Sequence, residues 1–193
     1  MIRFDRVTFG YPGKPIFDGF TYDFPARGCL WLTGPSGRGK TTLLRLVAGL
    51  EAPLSGHIAG AGKIAMVFQE DRLLPWRTAA ENILIPMEHP DPARVDWLLC
   101  KLGIADAAGN FPAALSGGMR RRAAIARALA AEADTLLLDE PFTGLDAERK
   151  SDVTALLREL YRDRLTVLVT HDPGEAEAMG ADTVLDLMKI TPA

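Results

Sequence analysis

The segment Cys29-Leu30-Trp31-Leu32-Thr33-Gly34-Pro35-Ser36-Gly37-Arg38-Gly39-Lys40-Thr41-Thr42 decides how the rest of the chain is read. Cys29 to Leu32 is a continuous apolar run, the mark of a strand buried on both faces. Gly34 to Thr41 then fits G-x-x-x-x-G-K-[ST] at every fixed position, and an apolar helical pattern from Leu43 to Leu50 follows. Glycines at these positions let the backbone curl until successive N–H groups converge on phosphate oxygens. A helix beginning near Lys40 adds the positive end of its dipole. The segment from Gly34 through Thr42 is therefore expected to cradle a nucleotide. Lys40 is placed for the β- and γ-phosphates of ATP, and the Thr41 hydroxyl for Mg²⁺.

Working outward, the same buried-strand signal recurs at Leu136-Leu137-Leu138 and at Thr166-Val167-Leu168-Val169. Between those runs Val153, Leu156, Leu157 and Leu160 repeat at helical spacing. Asp172-Pro173 supplies an N-cap and a first-turn proline for a further helix, and a last strand is expected over Thr183 to Leu187. Alternating strands and helices predict an α/β fold on a parallel sheet. The first residues differ: Ile2 and Phe4, then Phe20, Tyr22 and Phe24, alternate with period two around a turn at Gly10-Tyr11-Pro12-Gly13. They predict a small antiparallel β subdomain. From Pro75 to Pro112 the signals are mostly helical, so a helical subdomain of about residues 75–114 is expected as an insertion in one domain of residues 1–193.

The strand at Leu136 ends in Asp139-Glu140-Pro141. Open α/β sheets bind ligands at the carboxyl ends of their strands. There Asp139 can hold Mg²⁺ through its water shell, and Glu140 can polarise an attacking water as general base. Taken alone, the two acids also read as a solvated turn; the phosphate loop upstream favours chemistry.

Composition narrows the function classes. With 193 residues, 48% of them hydrophobic, the chain can bury one sizeable core. A net charge of −3 gives no footprint for gripping nucleic acid, so no nucleic-acid partner is expected. Arg120-Arg121-Arg122 would fan across different faces of a helix and read as a solvated surface. Cys29 and Cys100 stand far apart in apolar surroundings and read as buried thiols. No apolar leader follows Met1, and no apolar run is long enough to cross a bilayer, which predicts a cytoplasmic protein.

Leu115-Ser116-Gly117-Gly118-Met119 settles on a family. Taken alone, Ser116-Gly117-Gly118 also reads as an N-cap and turn. Lying ahead of the carboxylate strand, the segment resembles the signature motif of the ATP-binding subunits of ABC transporters, and the resemblance runs over nearly the whole chain. It implies a P-loop NTPase (RecA-like) core and an ATPase coupled to transport. It places Gln69 on Mg²⁺ and the lytic water, Asp146 of Gly144-Leu145-Asp146 near the nucleotide, His171 on the γ-phosphate and Tyr11 under adenine. It also implies that Ser116, Gly117 and Gly118 act on ATP held by a second subunit, in a head-to-tail dimer. The expected partners are that second copy, an integral membrane permease on a separate chain and, for an importer, a solute-binding protein. Such a subunit sits peripherally on the inner face of the cell membrane. Met119, where glutamine is commonest in the family, and Leu73-Leu74-Pro75-Trp76-Arg77 resemble nitrate-, sulfonate- and taurine-type importers. Gln69 to Arg77 is the expected coupling surface, with Leu74 and Trp76 exposed for the permease unless they pack in the core. Two other classes stay open here. A soluble ABC-type ATPase of DNA repair or translation would usually carry long insertions, and a P-loop kinase would have no use for the signature segment.

Overall fold

The computed structural model describes residues 1–189. In chain order it begins with β1 (Arg3–Tyr11), β2 (Lys14–Asp23) and β3 (Gly28–Thr33), followed by α1 (Lys40–Val47), β4 (Ser55–Ala59) and β5 (Ile64–Val67). The helices α2 (Ala79–Leu84), α3 (Pro92–Lys101) and α4 (Gly117–Ala130) come next. The chain then runs through β6 (Thr135–Asp139), α5 (Ala147–Leu160), β7 (Leu165–Val169), α6 (Pro173–Ala178) and β8 (Ala181–Asp186). The strands form two sheets. One is antiparallel, ordered β2-β1-β4, and the other is parallel throughout, ordered β5-β6-β7-β3-β8.

The antiparallel sheet is held by aromatic packing. Phe4 is fully buried, with the Phe20 and Phe24 rings 5.7 and 5.5 Å from its centroid. The period-two alternation slips once, between Phe4 and Val7, where Arg6 has φ +45° and the pairing with both neighbouring strands shifts. This bulge turns Val7 and Phe9 inward instead of Arg6 and Thr8.

In the parallel sheet each side chain chooses between two hydrophobic clusters. Leu136 and Leu138 of β6 face a cluster with Ile83, Leu98 and Ile125 of the helices. Leu137, between them, faces the other cluster, with Phe4 and with Leu43 of α1. The strand is thus apolar at every position because both of its faces are covered.

Several helix ends follow their sequence signals. Thr78 and Glu81 form a reciprocal capping box at α2, and Asp172 accepts the Gly174 N–H ahead of Pro173 in α6. α1 starts at Lys40, earlier than the apolar pattern alone suggests, and stops at Val47. Gly49, at φ +68°, ends it there: the Leu50 N–H reaches the Arg45 carbonyl at 2.9 Å, satisfying a carbonyl the helix leaves open. The last strand begins two residues before the expected Thr183 and ends at Asp186, one short of Leu187. Among the described residues no helix is long and apolar enough to cross a membrane.

The two thiols divide. Cys29 is buried in β3, whereas Cys100 is exposed, which corrects the expectation that both are buried. The inward face of α3 is Val95, Leu98, Leu99 and Leu102, and Cys100 points away from it. Burial pushes the Cys29 thiol up to about 12, with the Asp182 carboxylate adding to the effect against Arg158. In the native chain a thiol reagent at mildly alkaline pH should therefore modify one cysteine, Cys100, and reach Cys29 only after unfolding. Peptide mapping of the labelled chain checks this, and fast labelling of Cys29 would contradict it.

Candidate functional site

The site lies where the parallel strands end together. Val169 of β7 pairs with Leu32 of β3 on one side and with Asp139 of β6 on the other. The loops that follow these residues therefore leave the sheet at one level. They carry the 34–41 loop, Glu140 and His171.

Gly39 caps α1 with φ +99° and no side-chain hydrogen bond. A Cβ there would stand 2.5 Å from Cγ2 of Ile16, so the position needs glycine for its backbone angle and for space alike. The first N–H groups of α1 are left facing the loop, a ready anion site. Lys40, only 7% exposed, donates to the carbonyls of Gly34 at 2.6 Å and Pro35 at 3.0 Å, which folds its ammonium into the curl of the loop. Arg38 donates to the Leu187 carbonyl at 3.2 Å and ties the loop to the end of β8. Thr41 donates its hydroxyl to Oδ2 of Asp139 at 2.8 Å, joining α1 to the end of β6.

Glu140 has φ +50°, an uncommon backbone for a residue with a side chain. Its N–H donates to the Val169 carbonyl at 3.0 Å. Its Oε1 is buried and lies 3.2 Å from Nε2 of His171, out of hydrogen-bond alignment and without another partner. Burial raises the Glu140 carboxyl above its usual range; His171 opposes this and Asp139 reinforces it. Asp139, 2% exposed, is likewise pushed up by burial, against the Thr41 hydroxyl and the cations Arg121, Lys40 and Arg45. Two acids held against their ionised forms, beside a hydroxyl and a lysine, suit a site that gains a cation and a polyphosphate. No three His, Cys, Asp or Glu side chains cluster as a metal cage among the described residues. That donor set fits Mg²⁺, which takes one or two carboxylates and completes its shell with phosphate oxygens and water.

A cavity of about 310 Å³ opens over this surface. Its lining includes Ser36, Gly37, Gly39, Lys40, Thr41 and Thr42 of the loop, Asp139 and Glu140, and Gln69 and His171 at the rim. Tyr11, at the end of β1, lines it too, its ring set edge-on to Phe9 at 5.3 Å. Lys14 and Ile16 of β2 and Val169 of β7 complete the wall, and no motif marks them in the sequence. Ser116, Gly117, Gly118 and Asp146 do not reach this cavity. Ser116 caps α4, accepting from the Met119 N–H at 3.2 Å, and Asp146 caps α5, accepting from the Arg149 N–H at 2.9 Å. Both stand exposed at helix N-termini.

The arginine triple does not form a solvated surface. Arg121 is buried, 3% exposed, and its guanidinium points into the site's underside. The charge is accommodated because Asp71 pairs with it at 3.3 Å and backbone carbonyls take its other N–H groups. Arg122 donates to the carbonyls of Leu102 and Gly103, and Arg120 to that of Leu115.

Against known proteins, the model of the family described as ABC transporter matches residues 17–143. The chain belongs to that family. It is an ATP-binding subunit and an ATPase. It is 42% identical over 191 residues to an aliphatic sulfonates import ATP-binding protein of Streptomyces avermitilis, covering 96% of this chain and 76% of that protein. It is 40% identical over 196 residues to the protein of the same description from Rhodopseudomonas palustris, covering 95% and 69%. Among solved structures, a bacterial Atm1-family ABC exporter with ATP bound superposes with a TM-score of 0.86 at 28% identity. That match covers 96% of this chain and 36% of the exporter's.

Gly39→Ala tests the construction of the loop. Left-handed backbone costs an alanine about 1–2 kcal/mol before its contact with Ile16, so melting should fall by at least several degrees. ATP affinity should fall with it. An alanine variant that melts and binds ATP like the parent would show that the loop can rebuild itself.

Proposed function

We propose that the chain is the motor subunit of an ABC importer, that two copies close head to tail on ATP, and that hydrolysis lets them part. The observation that carries this reading is the separation within one chain: the phosphate loop lines the cavity, whereas the Ser116 end of α4 does not reach it. A second copy would bring its Ser116, Gly117 and Gly118 onto the γ-phosphate, adding a hydroxyl and helix N–H groups to the charge of Lys40. Asp146 would meet the nucleotide in the same way, across the interface.

Within the site, Lys40 would exchange its loop carbonyls for the β- and γ-phosphates. Tyr11 would stack on adenine. The free Oε1 of Glu140 is the acceptor for the proton of the attacking water, with Gln69 and His171 orienting that water and the γ-phosphate. Mg²⁺ would be held by Thr41, Asp139 and Gln69 and, when bound, supplies charge neutralisation across the β- and γ-phosphates.

A membrane permease is the expected working partner of a subunit in this family. We place its contact at Trp76, which is 68% exposed beside the half-buried Leu74, on the segment joining Gln69 to α2. The subunit would then sit peripherally on the cytoplasmic face of the membrane. Aliphatic sulfonates, named for the relatives, together with Met119 and the 73–77 segment, support a small organic anion as the solute, delivered by a solute-binding protein.

Two measurements test the chemistry and the shared site. Lys40→Ala should weaken ATP binding, whereas Glu140→Gln should keep ATP bound and cut turnover by at least about 10²-fold. Parental hydrolysis by Glu140→Gln would remove it as the base. For the shared site, Lys40→Ala chains are mixed with Ser116→Arg chains, each nearly inactive alone. A mixed dimer has one site with both defects and one with neither, so activity should return. Full hydrolysis by a strictly monomeric sample would sink the shared site.

A further inference from the structure

Arg121 sits beneath the catalytic surface and touches both loops that feed it. Its Nε donates to the Pro141 carbonyl at 3.0 Å, and its Nη2 to the carbonyls of Asp139, at 3.1 Å, and Glu140. Its Nη1 donates to the Phe68 carbonyl at 2.6 Å and pairs with Oδ1 of Asp71 at 3.3 Å. Three consecutive carbonyls of the carboxylate loop thus converge on one guanidinium, and the same group holds the residues on either side of Gln69 and Glu70. A planar fork with five N–H donors can make this set of contacts; an ammonium or an amide cannot. The left-handed backbone of Glu140 lies in the middle of the clamp. Glu140 keeps this uncommon backbone while its residue lines the cavity, and neighbouring contacts must hold it there.

We propose that Arg121 is a positioning residue for ATP hydrolysis, holding the Glu140 and Gln69 loops in one fixed spacing from its seat in α4. The inference rests on the roles of Glu140 and Gln69 proposed above. Because Ser116 caps α4, the clamp also makes the signature helix and the hydrolytic carboxylate parts of one rigid unit. Arg164 offers a comparison at the far end of the same strand. It donates to the Ala133 carbonyl at 3.0 Å, just ahead of β6, and touches nothing in the cavity.

The test compares Arg121→Lys, Arg121→Met and Arg164→Met in the full chain, reading ATP turnover, KM and melting temperature. ATP affinity is read separately with Glu140→Gln added, where turnover does not interfere. Displaced catalytic groups cost about 10²-fold per ångström, so both Arg121 variants should lose at least about tenfold in kcat with KM within about threefold. Their ATP affinity in the Glu140→Gln background should match that of Glu140→Gln alone. Arg164→Met should lower the melting temperature and leave kcat in place. Arg121→Lys keeps charge and most of the volume, so it decides the matter if the methionine variant does not fold. Parental kcat in a folded Arg121→Lys chain overturns the proposal, as does a loss of ATP affinity equal to the loss of kcat. Failure of both Arg121 variants to fold overturns it too, leaving Arg121 a purely structural role. Hydrolysis by Glu140→Gln at the parental rate would instead refute the reading of Glu140, a separate failure visible in its own sample.

Discussion

The lateral register of β6, β7 and β3 is the constraint on which the site depends. Parallel strands fix one another through evenly spaced hydrogen bonds, and a slip of one residue would turn every side chain to the opposite face. Here Val169 is bonded between Leu32 and Asp139, so three separate stretches of chain leave the sheet side by side. Both faces of these strands are covered by apolar clusters, which makes any other register costly. The phosphate loop, the acids and the histidine are brought together by this alignment before any of them touches another. The Thr41–Asp139 hydrogen bond is then a short tie across a gap already set by the backbone.

What could be read from sequence, and what could not, follows the range of the interactions. The phosphate loop was legible because its constraints are local: glycine at Gly39 answers to its own φ and to a neighbouring strand. The buried strands were legible because cover on both faces leaves an unbroken apolar run. The carboxylate pair was legible only with the loop, since Asp139 and Glu140 alone match any acidic turn. Arg121 escapes any reading that treats the three arginines as one feature. The spacing held a corrective signal: Arg121 stands three, four and seven residues before Ala124, Ile125 and Ala128, all buried, so it shares the apolar stripe of α4. Cys100 likewise escapes a reading of its apolar surroundings, since the stripe Val95, Leu98, Leu99 and Leu102 excludes it. The slip at Arg6 leaves a mark in the apolar spacing, where Ile2 and Phe4 are followed by Val7 and Phe9 with one extra residue between the pairs.

The carboxylates occupy an environment arranged against their own charge. Burial disfavours ionisation of Asp139 and of Glu140, and the Asp139 charge makes that of Glu140 harder still to carry. A solvated turn would show neither effect. The protein instead surrounds the pair with Thr41, Lys40, His171 and Arg121, and leaves Oε1 of Glu140 without a hydrogen bond. That combination suits a site that takes up positive charge better than it suits a purely structural one.

The central sheet also acts as a partition. Alternate leucines of β6 belong to different cores, Leu136 and Leu138 to the helical side and Leu137 to the side of α1 and the antiparallel strands. Side chains of the two cores are therefore kept apart by backbone. Apolar packing on the helical side does not continue, side chain to side chain, into the core beneath α1. What joins the two sides is the backbone of the strands themselves, with the Thr41–Asp139 hydrogen bond and the Arg121 guanidinium at their ends. A substitution in one core is felt by the neighbours on that side of the sheet, so the two cores are free to drift in composition separately.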